Sequence, residues 1–477
     1  MVLRRSCIFL QNNYPKVKFN TTFNKSRNFA RQHVPIPILT PQEVTKILRS
    51  NEFTKEFESP SPIKYYDSNQ LASNNPVEDT RSEARCKLTN GFLLGIFDGH
   101  GGNSCSQVIS KRLFYYVSAC LLSPETLKKV LETEVTSKQI KEKLLESFND
   151  NFEFVSELGK LYCESFLTFV RGLSDKPLIS SSAEVALQNA FISLDQDLSN
   201  EALKKLARRE AARTLSVAMS GCVAVVAHVN GPHLHVASAG DCQAVLGIYN
   251  ENEGWTAQVL NKIHNTDNAE EVERILSEHP PSEKKTVIKM DRLLGQLAPL
   301  RALGDFRYKW SREIMKKKVI PYFGESAIPP NYHTPPYLTA EPQVTYHRLT
   351  YNDKFLIIAS DGLWDLMTPP EAVRLVGEHM KGRVALAPFK LPEKGTKLSE
   401  INKLLIERKE GLKKQPLDQN AATHLLRNAL GGTEYGIDHH KLSQFLTLPN
   451  EVVRIFRDDI TITVVYMDSD FLQNYPS

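Results

Sequence analysis

Short apolar runs that stop at an acid or a glycine punctuate this chain. Phe92-Leu93-Leu94-Gly95-Ile96-Phe97 ends at Asp98-Gly99, which reads as a buried strand running into a tight turn. Residues 104–122 place Val108, Ile109, Leu113 and Val117 at helical spacing, and 138–170 and 183–213 predict two further helices. Strands are expected over 215–229, 233–239 and 243–249, with Asn230-Gly231 as a hairpin turn between the first two. A helix over 268–278, a strand over 354–359, a helix over 369–380 and a final strand over 460–466 follow. Thr40-Pro41-Gln42-Glu43 combines a capping residue, a proline at the first helical position and a glutamate three residues after the cap, so a short helix to about Ser50 is expected. Pro60, Pro62, Asn74, Asn75 and Pro76 break any period over 59–90, which reads as irregular. The Pro-, Tyr- and Lys-rich stretch 312–337 reads as an extended loop, and the charged, weakly periodic stretch 382–420 as a surface insertion. Strands toward both ends with helices between them predict an α+β layered fold.

With 477 residues the chain is long enough for a large core, and 41% hydrophobic with 24% charged residues excludes collagen-like, coiled-coil and wholly disordered classes. No run of 18 uncharged apolar residues occurs, so no membrane-spanning helix is expected. The net charge of +4 conceals an asymmetry. Residues 1–42 carry Arg4, Arg5, Lys16, Lys18, Lys25, Arg27 and Arg31 and no acid, which leaves the body mildly acidic and argues against nucleic acid as a partner. Residues 1–33 are basic, hydroxylated and acid-free, the composition of a mitochondrial transit peptide; a disordered basic tail is the plainer alternative. Seven cysteines (Cys7, Cys86, Cys105, Cys120, Cys163, Cys222, Cys242) form no C-x-x-C pair, which favours a reducing compartment over a disulfide scaffold.

The chemistry is suggested by acids at strand ends. Asp98, Asp241 and Asp361 each follow an apolar run, Asp458-Asp459 precede one, and Glu78-Asp79 lie upstream of 92–97. Carboxylates converging at the rim of a core need cations, and oxygen-only ligands suit Mg²⁺ or Mn²⁺ better than zinc. No HExxH motif or Cys/His cluster is present, and the spacing does not fit an EF-hand loop. Taken singly, each piece is weak: an Asp-Gly after a strand is usually only a turn.

Together and in order, the pieces carry a resemblance. Asp98-Gly99-His100-Gly101-Gly102, Ser220-Gly221-Cys222-Val223-Ala224, Ala239-Gly240-Asp241, Leu300-Arg301-Ala302-Leu303-Gly304-Asp305, Ala359-Ser360-Asp361-Gly362-Leu363-Trp364-Asp365 and Arg457-Asp458-Asp459-Ile460-Thr461 resemble the motifs of the metal-dependent serine/threonine phosphatases, the protein phosphatase 2C family. The match spans about residues 65–467. Pro76-Val77-Glu78-Asp79, Arg112-Leu113-Phe114-Tyr115-Tyr116, Phe306-Arg307-Tyr308-Lys309-Trp310-Ser311, the stretch 329–342 and Asp418–Leu425 are similar to the mitochondrial pyruvate dehydrogenase phosphatase branch. The resemblance implies a four-layer α-β-β-α sandwich with two central antiparallel sheets. It divides the chain into a transit peptide (1–33), an extension with a short helix (34–64) and a phosphatase domain (65–470) carrying the 382–420 insertion.

The resemblance also implies a two-metal centre of Mg²⁺ or Mn²⁺. In it Asp98 bridges both ions, the Gly99 carbonyl and Glu78 serve one, Asp361 and Asp458 serve the other, and Asp79 acts through water. Asp241 with Asp361 would hold a third, weaker ion. Such a centre activates water for direct attack on phosphorus, so Cys105 and Cys222 need no nucleophilic role and read as small buried hydrophobes. His100 is expected to protonate the departing serine oxygen, the alternative being a structural turn histidine bonded to a carboxylate. Arg301 reads as an anchor for backbone or carboxylates, and Asp305 as a pin for its loop. Asn74 stands where many family members carry a phosphate-gripping arginine, which leaves the phosphate-binding residue unassigned, with Arg81 as one option. Val223 replaces a common threonine, a packing change. The implied substrate is the phosphorylated pyruvate dehydrogenase α subunit in the mitochondrial matrix. The implied partners are the lipoyl domain of the acetyltransferase core and a regulatory subunit, with calcium stimulation confined to some members. The same chemistry on another mitochondrial phosphoprotein, or a non-catalytic scaffold, are the competing readings.

Overall fold

Two antiparallel sheets lie at the centre of the computed structural model, which describes residues 38–134, 136–149, 156–176, 178, 182–386, 396–413 and 416–475. One sheet runs in the order Phe53–Glu56, Ile63–Leu71, Ile460–Met467, Asp353–Ala359, Gln243–Asn250, Gly254–Val259. The other runs Gln343–Arg348, His233–Ala239, Gly221–Asn230, Phe92–His100, Thr80–Cys86, Leu145–Ser147, with Leu303–Gly304 also paired to Gly221–Asn230. The first and last parts of the chain thus meet in one sheet, where Ile462 lies opposite Asn69 and Ile358 opposite Thr463.

Side chains alternate across each strand, so each sheet buries two faces. Phe92, Leu94, Ile96, Val223 and Val225 point inward and pack against Ala244, Leu246, Leu356, Ile358 and Val465 of the facing sheet. Leu93, Phe97, Ala224 and Val226 point outward into a core with helices Ser104–Cys120, Ala183–Leu203 and Arg208–Met219. Phe355, Ile357, Ile462 and Val464 do the same on the far side, against Pro369–Leu386, Ala421–Gly431 and Pro41–Leu48. The result is the α-β-β-α sandwich. Residues 38–477 form one compact unit, and the capping box of Thr40 and Glu43 starts a helix whose Val44 and Leu48 are buried in that core. No described helix is long and apolar enough to cross a membrane. Residues 1–33, expected to be a transit peptide, lie outside the described residues.

The structure departs from the periodicity reading at several elements. Residues 59–90 are not irregular: Ile63–Leu71 and Thr80–Cys86 are central strands. Their alternation is masked because polar residues are buried there in hydrogen bonds. Asp67 accepts from Thr54 and from the Ala421 backbone, and Asn69 donates to the Leu48 carbonyl. The expected helix over 138–170 is instead Ser137–Leu144, an edge strand Leu145–Ser147 paired to Ala84–Cys86, and a separate helix Gly159–Asp175. The stretch 183–213 is two helices that break at Lys204, whose backbone is extended. Residues 312–323 are helical turns, not an extended loop, with Met315 and Val319 buried. The edge strands Phe53–Glu56, Gly254–Val259 and Gln343–Arg348 carry little apolar alternation and were not expected. Within 382–420 the described residues include the end of helix Pro369–Leu386 and helix Leu398–Lys413, with Leu398, Leu405 and Ile406 exposed.

Candidate metal centre

The acids gather at one end of the sandwich because three strands stop there together. Asp98 lies near the end of Phe92–His100, opposite Val223. Asp241 follows Gly240, whose φ of 113° only glycine adopts readily and whose missing Cβ would sit 2.4 Å from the Val223 side chain. Asp361 opens a short helix after Asp353–Ala359, and Gly362 beside it packs so closely that a Cβ would lie 2.0 Å from the Asp459 carbonyl. Ligand atoms of Asp98, Asp241 and Asp361 all lie within 4.8 Å of one another.

That proximity is electrostatically costly. Two unit charges 4.8 Å apart repel by about 3.5 kcal/mol at an effective dielectric of about 20. Burial, reinforced by Asp79, Asp361 and Asp241, pushes the Asp98 carboxyl well above the usual carboxylate range. Burial and the Asp241 and Asp458 charges do the same to Asp361. Asp241 is pushed up to about 6, chiefly by burial. Asp361 Oδ1 is buried and has no hydrogen-bond partner among the described residues. An all-carboxylate donor set with an orphaned buried oxygen fits a hard divalent cation.

The remaining predicted residues surround this triad. Asp79 is fully buried, accepts from the Ser360 and Thr461 hydroxyls at 2.8 and 2.7 Å, and is pushed up to about 7 by burial and by Asp459. Glu78 accepts from the Gly102 amide at 2.6 Å, and burial raises its carboxyl. Gly99 is irreplaceable sterically: a Cβ would lie 2.4 Å from the Glu78 carbonyl and 2.6 Å from Ser106 Oγ. Asp458 is partly exposed and paired with Arg454 at 2.5 Å; burial raises its carboxyl too. The structure therefore packs Asp98, Asp241 and Asp361 tightest and brings Asp79 and Asp458 within electrostatic reach of them.

His100 Nε2 lies 2.5 Å from Asp305 Oδ2. Burial lowers the imidazole pKa, but Asp305, Asp241 and Glu78 together outweigh it, so the net shift is upward. Asp305 is held at a φ of 50°, and its amide donates to the Ser220 carbonyl. A Cβ on Gly221 would lie 2.0 Å from His100 Nε2, so the Ser220-Gly221 motif makes room for this pair. Arg301 is committed to Glu271, with bonds of 2.8 and 2.9 Å, and to the Glu341 carbonyl. Arg81 is committed to the buried Glu83. Cys105 and Cys222 are buried free thiols pushed up by burial, which disfavours the thiolate.

Sequence reasoning gave no separate role to Asp459. Its carboxylate accepts from the amides of Ser73, Asn74 and Glu78 and from Asn74 Nδ2, at 2.5 to 3.0 Å, and so holds the loop that presents Glu78 and Asp79. The only signal was its adjacency to Asp458, since neighbouring residues in extended chain face opposite ways.

Comparison with known proteins shows the family. Residues 128–393 match the family described as Protein phosphatase 2C. Over 466 residues the chain is 44% identical to mitochondrial pyruvate dehydrogenase (acetyl-transferring) phosphatase 1 of Homo sapiens, covering 92% of this chain and 84% of that protein. It is 42% identical over 453 residues to mitochondrial phosphatase 2 of the same kind from Homo sapiens, covering 92% and 85%. A Saccharomyces cerevisiae phosphatase 1 of this kind is 31% identical over 473 residues, covering 90% and 73%.

Proposed function

The chain belongs to the protein phosphatase 2C family, and from that premise we propose that it is a mitochondrial protein-serine phosphatase that dephosphorylates the pyruvate dehydrogenase α subunit and so reactivates the complex. The observation that carries the chemistry is the convergence of Asp98, Asp241 and Asp361, from three separate strand ends, within 4.8 Å. The ions we assign are Mg²⁺ or Mn²⁺, two per site with a third, weaker one. Glu78, Asp98 and the Gly99 carbonyl would hold one, Asp98, Asp361 and Asp458 the other, and Asp241 with Asp361 the third. When bound, the cations supply a water of lowered pKa and neutralise phosphoryl charge.

The chain's own residues do the rest. Asp79, braced by Ser360 and Thr461, backs the pocket with a fixed carboxyl. Asp459 holds the loop that carries Glu78 in place. Asp305 orients His100 and stabilises its charged form, so the imidazole is suited to deliver a proton to the departing serine oxygen. Relatives named for pyruvate dehydrogenase support the substrate assignment. The acid-free composition of residues 1–33 supports import into the matrix. The family resemblance supports docking to the lipoyl domain of the acetyltransferase core and to a regulatory subunit.

The test is phosphate release by the full chain from phosphorylated pyruvate dehydrogenase and from an unrelated mitochondrial phosphoprotein, with Mg²⁺, with Mn²⁺ and with chelator. The proposal expects metal-dependent turnover that favours pyruvate dehydrogenase. Equal rates on both substrates would remove the substrate assignment, and no metal-stimulated turnover on either would remove the activity.

A further inference from the structure

A pocket built from carboxylates presents a phosphoserine dianion with repulsion, and bound cations answer it only on the side they occupy. A guanidinium at the mouth would answer it on the other side, with a planar fork of donors matched to phosphate oxygens. Arg454 is placed for this. It lies on the short helix Asn450–Phe456, its Nη1 is 2.5 Å from Asp458 Oδ2, and its side chain is 50% exposed. Its partner Asp458 is one of the acids assigned to the cation site, so the guanidinium lies beside that site.

Neighbouring cations are engaged elsewhere. Arg81 Nη1 donates to both oxygens of Glu83, Arg301 is bidentate to Glu271, and Arg457 Nη1 donates to Ser73 Oγ at 2.5 Å. Asn74 is neutral, and its amide is bound to Asp459. The Arg454–Asp458 pair itself is an i,i+4 contact half open to solvent on the arginine side. Once Asp458 ligates a cation, its charge is shared and its hold on the guanidinium weakens. The tether of four residues keeps Arg454 within reach of whatever anion occupies the site.

We propose that Arg454 is the residue that grips the substrate phosphoryl group, exchanging its bond to Asp458 for bonds to phosphate oxygens. The proposal rests on the reading of the pocket as a divalent-cation phosphatase centre, and it gives Arg454 a role in substrate binding that none of the motif residues fills. The Coulomb argument predicts opposite signs for the two ligands. Losing Arg454 weakens phosphate binding but leaves Asp458 more negative, so cation binding is unchanged or tighter.

The experiment titrates inorganic phosphate into the Mg²⁺-loaded full chain by calorimetry, and Mg²⁺ into the chain alone, for the parent, Arg454→Ala and Arg454→Lys. KM and kcat on a phosphoserine substrate are measured alongside. Arg454→Ala is expected to weaken phosphate binding and raise KM about tenfold, the loss of one charge-assisted contact, with partial recovery in Arg454→Lys and Mg²⁺ affinity equal or higher. Unchanged phosphate affinity in Arg454→Ala overturns the proposal. So does a loss of Mg²⁺ affinity with phosphate affinity intact, which would make Arg454 a brace for Asp458. If the parent shows no metal-stimulated turnover, the underlying activity fails instead, and the two failures are distinguishable.

Discussion

Replacing Asp361 by Asn tests the acid cluster directly, because shape is nearly conserved and one charge is removed. With ligand atoms of Asp98, Asp241 and Asp361 within 4.8 Å, each ionised pair costs about 3.5 kcal/mol at an effective dielectric of about 20. Burial and their mutual repulsion raise all three carboxyls, which relieves part of that cost. The recoverable gain is therefore about 1–3 kcal/mol in the absence of divalent cation, a rise of a few degrees in unfolding temperature. The same change removes the orphaned Asp361 Oδ1 as a charged ligand, so the stabilisation by Mg²⁺ should shrink to what the Glu78–Asp98–Gly99 position supplies and turnover should fall about 100-fold or more. The assay is thermal unfolding followed by circular dichroism, in chelator and in Mg²⁺, with phosphate release measured in parallel. The parent should be the less stable protein in chelator and the more stable one in Mg²⁺. A variant that unfolds with the parent in chelator and gains as much stability from Mg²⁺ as the parent does would refute the reasoning.

Three further outcomes follow from the geometry. Gly99→Ala should cost about 1–3 kcal/mol of stability, because its Cβ would lie 2.4 Å from the Glu78 carbonyl, and should raise the Mg²⁺ concentration needed for activity; urea unfolding and metal titration check both. Asp459→Ala leaves the Ser73, Asn74 and Glu78 amides without their acceptor, so a loss of about 3–5 kcal/mol and of activity is expected, and a urea midpoint matching the parent would contradict it. Burial holds His228 and His424 at about 4, below the value of about 6.5 in an unfolded chain. The unfolded chain thus binds the extra protons between these values. Stability should fall as pH drops from about 6.5 to about 4, by about 1.4 kcal/mol per pH unit for each imidazole. His228→Gln should flatten that profile in urea titrations at pH 7, 6 and 5, and an unaltered slope would speak against it.

Much of the sandwich was legible because its central strands are apolar on both faces. Phe92–Phe97, Phe355–Ala359 and Ile460–Tyr466 are buried between a sheet and a helical layer, so they read as hydrophobic runs, the last broken only by the buried Thr461 and Thr463. Ile63–Leu71 and Thr80–Cys86 were illegible for the opposite reason. They bury Asp67, Asn69 and Glu83, whose bonding partners are supplied from as far away as Ala421 and Thr463. Residues 138–170 misled because apolar spacing cannot show that Leu145–Ser147 is drawn into an edge pairing with Ala84–Cys86. Among the site residues, strand-end acids were visible as acids, but the partners that give them character were not. Asp305 lies 205 residues from His100, and Asp459 lies 385 residues from Asn74.

By itself, the amino-acid order determined where strands end, which acids and glycines stand at those ends, and the ordered motifs that mark the family. These are local properties, set by side-chain polarity, turn geometry and spacing along the chain. Only the tertiary structure decided which carboxylates share a common point, that Asp459 braces a loop, and that Arg454 pairs with Asp458. Coulomb energies and hydrogen bonds depend on separations of a few ångströms in space, and residues hundreds of positions apart acquire those separations only when two sheets pack.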